Sequence, residues 1–93
     1  MPLARVVSFD GVNSERMAEM QQEMQGGPPE GIPAREILVL HDPDGEKSVV
    51  ILFFETEDDY RLGDATLDAM PAGDTPGQRT SVAKYQVALR MTA

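Results

Sequence analysis

Two uninterrupted apolar runs in the middle of the sequence constrain the fold more than any other feature. The first is Ile37-Leu38-Val39-Leu40, and the second is Val49-Val50-Ile51-Leu52-Phe53-Phe54. Between them, Asp42-Pro43-Asp44-Gly45 has the residues of a tight turn, with proline presetting φ and glycine permitting positive φ. The pattern predicts an antiparallel hairpin of strands 34–41 and 48–55. Because every position in both runs is apolar, both faces of these strands should be buried.

A strand and a helix are predicted before the hairpin. Residues 3–9 are apolar and β-branched and stop at Asp10-Gly11, as a strand does. Asn13 or Ser14 then provides the cap of a helix that extends to residue 25 and ends at Gly26-Gly27-Pro28-Pro29. Its apolar residues recur at intervals of three and four, which places them on one face. They are Met17, Met20 and Met24.

A second helix is predicted after the hairpin. Thr56 with Asp59 three residues later is a variant of the capping box, and the first turn is acidic. The helix should run to about Met70, because Pro71 follows. Its buried residues are expected to be Tyr60, Leu67 and Met70, with Leu62 or Gly63 between them.

A loop and a fourth strand complete the chain. Residues 71–80 are rich in proline, glycine and other turn formers, and Asp74 and Arg79 offer opposite charges within this loop. Residues 81–91 alternate between apolar and polar side chains, which predicts a half-buried strand. The apolar face of that strand would consist of Ala83, Tyr85, Val87, Leu89 and Met91.

The order β-α-β-β-α-β predicts an α+β, ferredoxin-like fold, with a four-stranded antiparallel sheet and two helices on one face. The 93 residues suffice for a single domain, residues 1–93. Two helices cover one face of the sheet, yet the central strands are apolar on both. An exposed apolar face of this kind usually marks an interface. We therefore expect a homodimer formed through the sheet face, with the chain itself as partner.

Composition excludes several classes of function. There is no cysteine and one histidine, which excludes disulfides, a thiolate nucleophile, the usual zinc sites and multi-histidine metal sites, so no metal is expected. The 16 acidic and 8 basic residues give a net charge of −8, which argues against nucleic acid as a partner. No apolar run is long enough for a membrane helix, and no secretory leader is evident. A cytoplasmic protein is expected.

The order of elements, the apolar central strands and the alternating residues 81–91 resemble the dimeric α/β-barrel superfamily, including its small antibiotic-biosynthesis-monooxygenase-like domains. The resemblance covers nearly the whole chain. It implies two sheets facing each other across a dimer, with a small apolar cavity between each sheet and its helices. The superfamily includes cofactor-free oxygenases, isomerases and haem-degrading enzymes. Haem-degrading members take a histidine from the second helix, and residues 57–70 contain none, so no cofactor is expected.

Four side chains are candidates for binding a ligand. His41, at the end of the second strand, has the chemistry of a general base or a single axial ligand, or it is a surface residue at the hairpin edge. Tyr60 would present a phenol to the cavity or belong to the core. Arg61 and Arg79 have the geometry to clamp a carboxylate, although Arg61 also stands four residues after Glu57 and can pair with it.

Two functions from different classes follow. The first is a homodimer that binds a small apolar or aromatic molecule between sheet and helices, with monooxygenase-like activity as the resemblance implies. The alternative is a structural or protein-interaction module without catalysis, in which the chain's own side chains fill the core. An allosteric amino-acid-binding module has a similar order of elements and is a third possibility.

Overall fold

The computed structural model describes residues 1–27, 31–69 and 76–92. The elements are β1 (Leu3–Asp10), α1 (Ser14–Glu23), β2 (Glu36–Asp42), β3 (Lys47–Phe54), α2 (Glu57–Asp68) and β4 (Gln78–Gln86), and a short 3-10 turn, Met24–Gly26, follows α1. The strands form one antiparallel sheet in the order β2-β3-β1-β4. This confirms the predicted ferredoxin-like fold.

Both helices begin where the sequence predicts. The side-chain oxygen of Asn13 accepts a hydrogen bond from the Arg16 backbone N–H at 2.8 Å. At α2 the Thr56 hydroxyl accepts from the Asp59 backbone N–H at 3.1 Å. Each cap satisfies a donor that the first helical turn leaves without a partner. Within the described residues, no helix is both long and apolar enough to cross a membrane.

Both helices end slightly before the predicted residue. The backbone of α1 tightens into the 3-10 turn and then reaches Gly27, whose φ of 99° suits glycine and ends the helix. The described part of α2 ends at Asp68. Residues 28–30, 70–75 and 93 lie outside the described residues, and with them the predicted burial of Met70 and the predicted pairing of Asp74 with Arg79.

The hairpin turn has the predicted residues but a different backbone. Glu46 adopts the positive φ, 52°, whereas the prediction assigned it to Gly45. Gly45 instead allows a close approach, because its N–H donates to Asp42 Oδ1 at 3.1 Å. A Cβ at position 45 would lie 2.7 Å from Asp42 Oδ2. A side chain at position 45 would therefore require the exposed Asp42 carboxylate to move, and a positive φ plays no part there.

The predicted bounds of β4 are wrong at both ends. The strand begins three residues earlier, so Arg79 belongs to β4 and not to a loop. It ends at Gln86, after which the Val87 N–H donates to the Pro2 carbonyl at 2.9 Å. The chain then leaves the sheet edge, and Arg90 pairs with Glu36 of β2 and lies over the Phe53 ring. Alternation continues past residue 86 in the sequence, but its apolar side chains do not join the strand.

The covered face of the sheet carries the core. Strand alternation directs one set of side chains from each strand toward the helices. The buried apolar cluster consists of Leu3, Val7, Phe9, Val12, Met17, Ile32, Val50, Leu52, Phe54 and Tyr60. α2 packs over β1 and β3, and α1 contributes Met17. The hydrophobic core of the single chain therefore lies between this face of the sheet and the two helices.

The opposite face, called the open face here, carries three cross-strand rows of side chains. By register the rows are Leu40-Val49-Ser8-Ser81, Leu38-Ile51-Val6-Ala83 and Glu36-Phe53-Ala4-Tyr85. Leu40 is 53% exposed and Tyr85 58% exposed, while Val49, Ile51 and Phe53 on β3 are half-buried. The runs 37–40 and 49–54 present apolar side chains to both faces, as predicted, although β2 is an edge strand of the sheet. The open face is exposed in the single chain except at Phe53, over which Arg90 lies.

Gly63 shows how tightly α2 is docked. It is buried, and a Cβ built there would lie 2.5 Å from Cε1 of the Phe54 ring. The unfavourable helix propensity of glycine is therefore offset by the close packing of α2 on β3.

Replacing Gly63 by alanine should destabilise the protein by about 1–3 kcal/mol, because the Phe54 ring would have to shift. The gain in helix propensity, about 1 kcal/mol, would not compensate. The matched control is Gly26→Ala, since nothing lies within 4 Å of a Cβ at that position. Urea unfolding measures both, and equal free energies of unfolding for Gly63→Ala and the parent would contradict the packing.

Candidate functional site

A cleft of about 300 Å³ lies between α1 and β2 on the covered face of the sheet. Its lining consists of Met17, Met20, Gln21, Met24, Val39 and His41. Four of these six described residues are apolar, and the other two contribute an amide and an imidazole. This is the common composition of a small-molecule pocket, in which a few polar groups orient a mainly apolar ligand.

The methionines reach the cleft because of their spacing on α1 and the turn after it. Met17 is buried, whereas Met20 and Met24 are half-buried. Unbranched thioether side chains adapt to irregular surroundings, so they can form both core and the wall of a cleft. The stripe that the sequence predicts is therefore partly core, at Met17, and partly the wall of a cleft.

His41 is anchored at the other wall, on β2. Its Nε2 lies 2.9 Å from the Val12 carbonyl oxygen. Val12 is fully buried, and its N–H donates to the Glu46 carbonyl at 2.7 Å, so the acceptor is held in place. Because a carbonyl only accepts hydrogen bonds, Nε2 carries the proton and the neutral ring has its lone pair on Nδ1. His41 therefore lines the cleft with a defined tautomer.

Tyr60 lies elsewhere, in the core beneath α2. Its ring meets Phe54 edge to face, with centroids 5.5 Å apart, and the Lys84 ammonium lies 4.8 Å above it. Burial, and next the nearby Asp64 carboxylate, raise the pKa of the Tyr60 phenol above its ordinary value of 10.0. The phenol therefore holds its proton more tightly in the folded chain than in the unfolded one.

Arg61 and Arg79 both pair with carboxylates on α2. Arg61 has a largely exposed side chain and pairs with Glu57 at 3.8 Å, as its spacing predicts. Lys84 also donates to Glu57, and this hydrogen bond is the main reason that the pKa of the Glu57 carboxyl lies below 4.5. Arg79 pairs with Asp68 at 2.8 Å. Of the four candidates from the sequence, His41 lines the cleft, and the other three gather around α2.

An ion-pair network that the sequence analysis missed is centred on Arg5. This residue is 2% exposed on the central strand β1. Its Nε donates to Asp64 at 2.8 Å and its Nη2 to Asp68 at 3.1 Å, and Asp68 also accepts from Arg79. The signal was available, because strand alternation puts Arg5 on the same face as Leu3 and Val7. A guanidinium among apolar residues requires a buried partner.

This network has a structural role, since the charges of two arginines and two aspartates cancel.

Among the residues that the structure describes, no group of three His, Asp or Glu side chains is placed to hold a metal ion. A scan of the sequence against models of known protein families gives no match, and searches of curated proteins and of solved structures find no similar protein.

Replacing Asp64 by asparagine should lower the free energy of unfolding by about 1–3 kcal/mol, because an acceptor is kept but the charge opposite the buried Arg5 is lost. Glu55→Gln breaks the exposed pair of Glu55 with Arg35 and should cost about 0–1 kcal/mol. Chemical denaturation compares the two. Losses of equal size would mean that the Arg5 network is no stronger than a surface ion pair.

Proposed function

We propose that this chain is a homodimeric small-molecule-binding protein of the dimeric α/β-barrel type, whose cleft between α1 and β2 takes a small apolar or aromatic molecule. The observation that carries the proposal is the lining of that cleft, in which flexible methionines surround the anchored imidazole of His41. The ferredoxin-like fold supports the resemblance to the antibiotic-biosynthesis-monooxygenase-like domains.

The lining favours an uncharged aromatic ligand. Thioether sulfur makes favourable contacts with aromatic rings, and two of the three methionines are partly accessible. Among the described residues that line the cleft, there is no arginine or lysine to neutralise a carboxylate or phosphate. Nδ1 of a neutral His41 accepts a hydrogen bond, so a hydroxyl group on the ligand would be oriented by it. In an oxygenase-like reaction the same nitrogen would serve as the base.

The open face supports assembly with a second copy. Its two rows Leu40-Val49-Ser8-Ser81 and Leu38-Ile51-Val6-Ala83 contain no charge, although the chain carries 16 acidic residues. Depletion of charge at the centre of an apolar surface is typical of interfaces. A second copy offers the same neutral surface, and a closed two-fold contact would cover both faces at once.

The remaining predicted residues lie outside the cleft, and a ligand-binding role for Tyr60, Arg61 and Arg79 stays a prediction of the sequence. The observed contacts of these three residues, with Phe54, Glu57 and Asp68 respectively, are those of core packing and surface ion pairs. A location in the cytoplasm also stays a prediction of the sequence.

The alternative function, an interaction module with a filled core, has one observation in its favour. Beneath α2 the space that a cavity would need is occupied, because Phe54 packs against both Tyr60 and Gly63. Under this alternative, the methionine-lined cleft would be a packing irregularity, and the open face would be the functional surface.

The assembly predicts a molar mass near twice 10.2 kDa by size exclusion with multi-angle light scattering. Leu38→Glu places a carboxylate in a neutral row of the open face and should yield the mass of one chain, since an unpaired charge is costly to bury. The matched control is Leu62→Glu on α2, which is exposed away from that face and should leave the dimer intact. A monomeric parent, or a dimeric Leu38→Glu variant, would contradict the proposed interface.

The ligand class predicts that 1-naphthol releases or absorbs heat on titration, whereas 1-naphthoate does not. Met24→Glu adds a carboxylate to the cleft wall and should weaken naphthol binding about tenfold or more, the equivalent of about 1.4 kcal/mol. Met91→Glu, at an exposed methionine that does not line the cleft, serves as its control. Dimers that bind neither compound would favour the interaction module.

A further inference from the structure

Residues 87–90, called the tail here, contact the open face of the sheet after β4 has ended. The first N–H of the tail donates to the Pro2 carbonyl at 2.9 Å. At its other end the Arg90 guanidinium lies 5.1 Å from the centroid of the Phe53 ring and pairs with Glu36. Both of these residues belong to the third row of the open face. The tail therefore reaches from the edge strand β4 to the edge strand β2 and is fixed at both ends.

We propose that the tail is part of the surface that a second copy of the chain contacts, with Leu89 as its apolar contact and Arg90 as the residue that holds it in place. The inference rests on the proposed homodimer and deepens it, because the interface proposed above consists of two rows of the sheet alone. It assigns a contact to residues that lie outside the sheet.

The size of a stable interface calls for residues beyond the two neutral rows. These rows contribute eight residues, and the third row brings the number to twelve. A standard protein–protein interface takes roughly 20 to 30 residues on each partner. A stable dimer formed through the open face therefore also needs the segments around it, and the tail already lies over the third row.

Leu89 is placed for such a contact. It directly precedes Arg90, whose side chain turns onto the sheet, and it is itself 77% exposed. Its side chain therefore points away from its own sheet, with most of its surface in water. A single exposed leucine is ordinary, but Leu38 and Leu40 on the open face are exposed as well. Covering these apolar side chains together would favour association.

Charge favours a tail that stays in place when a second copy docks. Among the twelve residues of the three rows, Glu36 is the one that carries a charge, and Arg90 neutralises it. If the partner displaced the tail, each copy would bury a carboxylate without its counterion, which is costly. With the tail in place, the three rows have no uncompensated charge, as is typical of the centre of an interface.

The test compares the dimer dissociation constants of full-length variants by sedimentation equilibrium. Leu89→Glu should raise the dissociation constant about tenfold or more, because each dimer carries the new charge twice at a covered contact. The matched control is Leu62→Glu, at an exposed leucine of α2, which should dimerise as the parent does. Both leucines are more than half exposed, so both variants should fold, which circular dichroism checks.

Arg90→Gln tests how the tail is held. It should raise the dissociation constant about tenfold, since it leaves Glu36 without a counterion. Arg35→Gln removes the same charge from the exposed pair with Glu55 and should leave the dissociation constant nearly unchanged. Adding Glu36→Gln to Arg90→Gln should restore part of the affinity, because no unpaired carboxylate remains. Loss of packing on Phe53 alone would show no such rescue.

The inference is overturned if Leu89→Glu dimerises as tightly as Leu62→Glu. It is also overturned if Arg90→Gln dimerises more tightly than the parent, which would make the tail a cover that the partner displaces. Either result, together with a monomeric Leu38→Glu variant, would leave the proposed homodimer standing. A parent that stays monomeric overturns the homodimer and the tail contact together.

Discussion

Strand β3 is apolar on both faces, and the requirement to bury both faces determines how the rest of the structure is arranged. From Val49 to Phe54 every side chain is apolar, and alternate side chains point to opposite faces of the sheet. Two helices can cover one face, so the burial of Val50, Leu52 and Phe54 leaves Val49, Ile51 and Phe53 toward the open side. Burying one face of β3 in the core thus leaves its other face as a second apolar surface on the outside of the single chain.

The covered face is itself divided into two unlike halves. Over β1 and β3, α2 is held by the ring of Phe54 against Gly63 and by the Arg5 guanidinium against Asp64 and Asp68. A buried ring in close contact, and a guanidinium that donates to two carboxylates at once, permit little variation in geometry. Over β2, α1 presents methionines, and the space they leave becomes the cleft. Tight docking on the sheet and the methionine-lined cleft therefore belong to different helices.

Local chemistry explains how much of this the sequence could predict. Helix caps and apolar runs depend on residues close together in the sequence. The caps at Asn13 and Thr56 and the runs 37–40 and 49–54 therefore sufficed to predict the order of elements and the apolar open face. The end of β4 depends on a distant partner, because Val87 bonds to Pro2 while the alternation of residues 81–91 continues unchanged. The cleft also depends on tertiary placement, since nothing local to His41 indicates that α1 lies opposite.

The cap of His41 on Val12 links the cleft to the start of α1. Val12 is fully buried and directly precedes the Asn13 cap, so the first turn of α1 is attached to the sheet. Further along, methionine side chains lie between α1 and the sheet, and the helical segment ends at Gly27. The beginning of α1 is therefore attached to the sheet by hydrogen bonds, and its later turns meet the sheet through methionine side chains. Slower amide hydrogen exchange at the beginning of α1 than toward Met24 would be the expression of this difference.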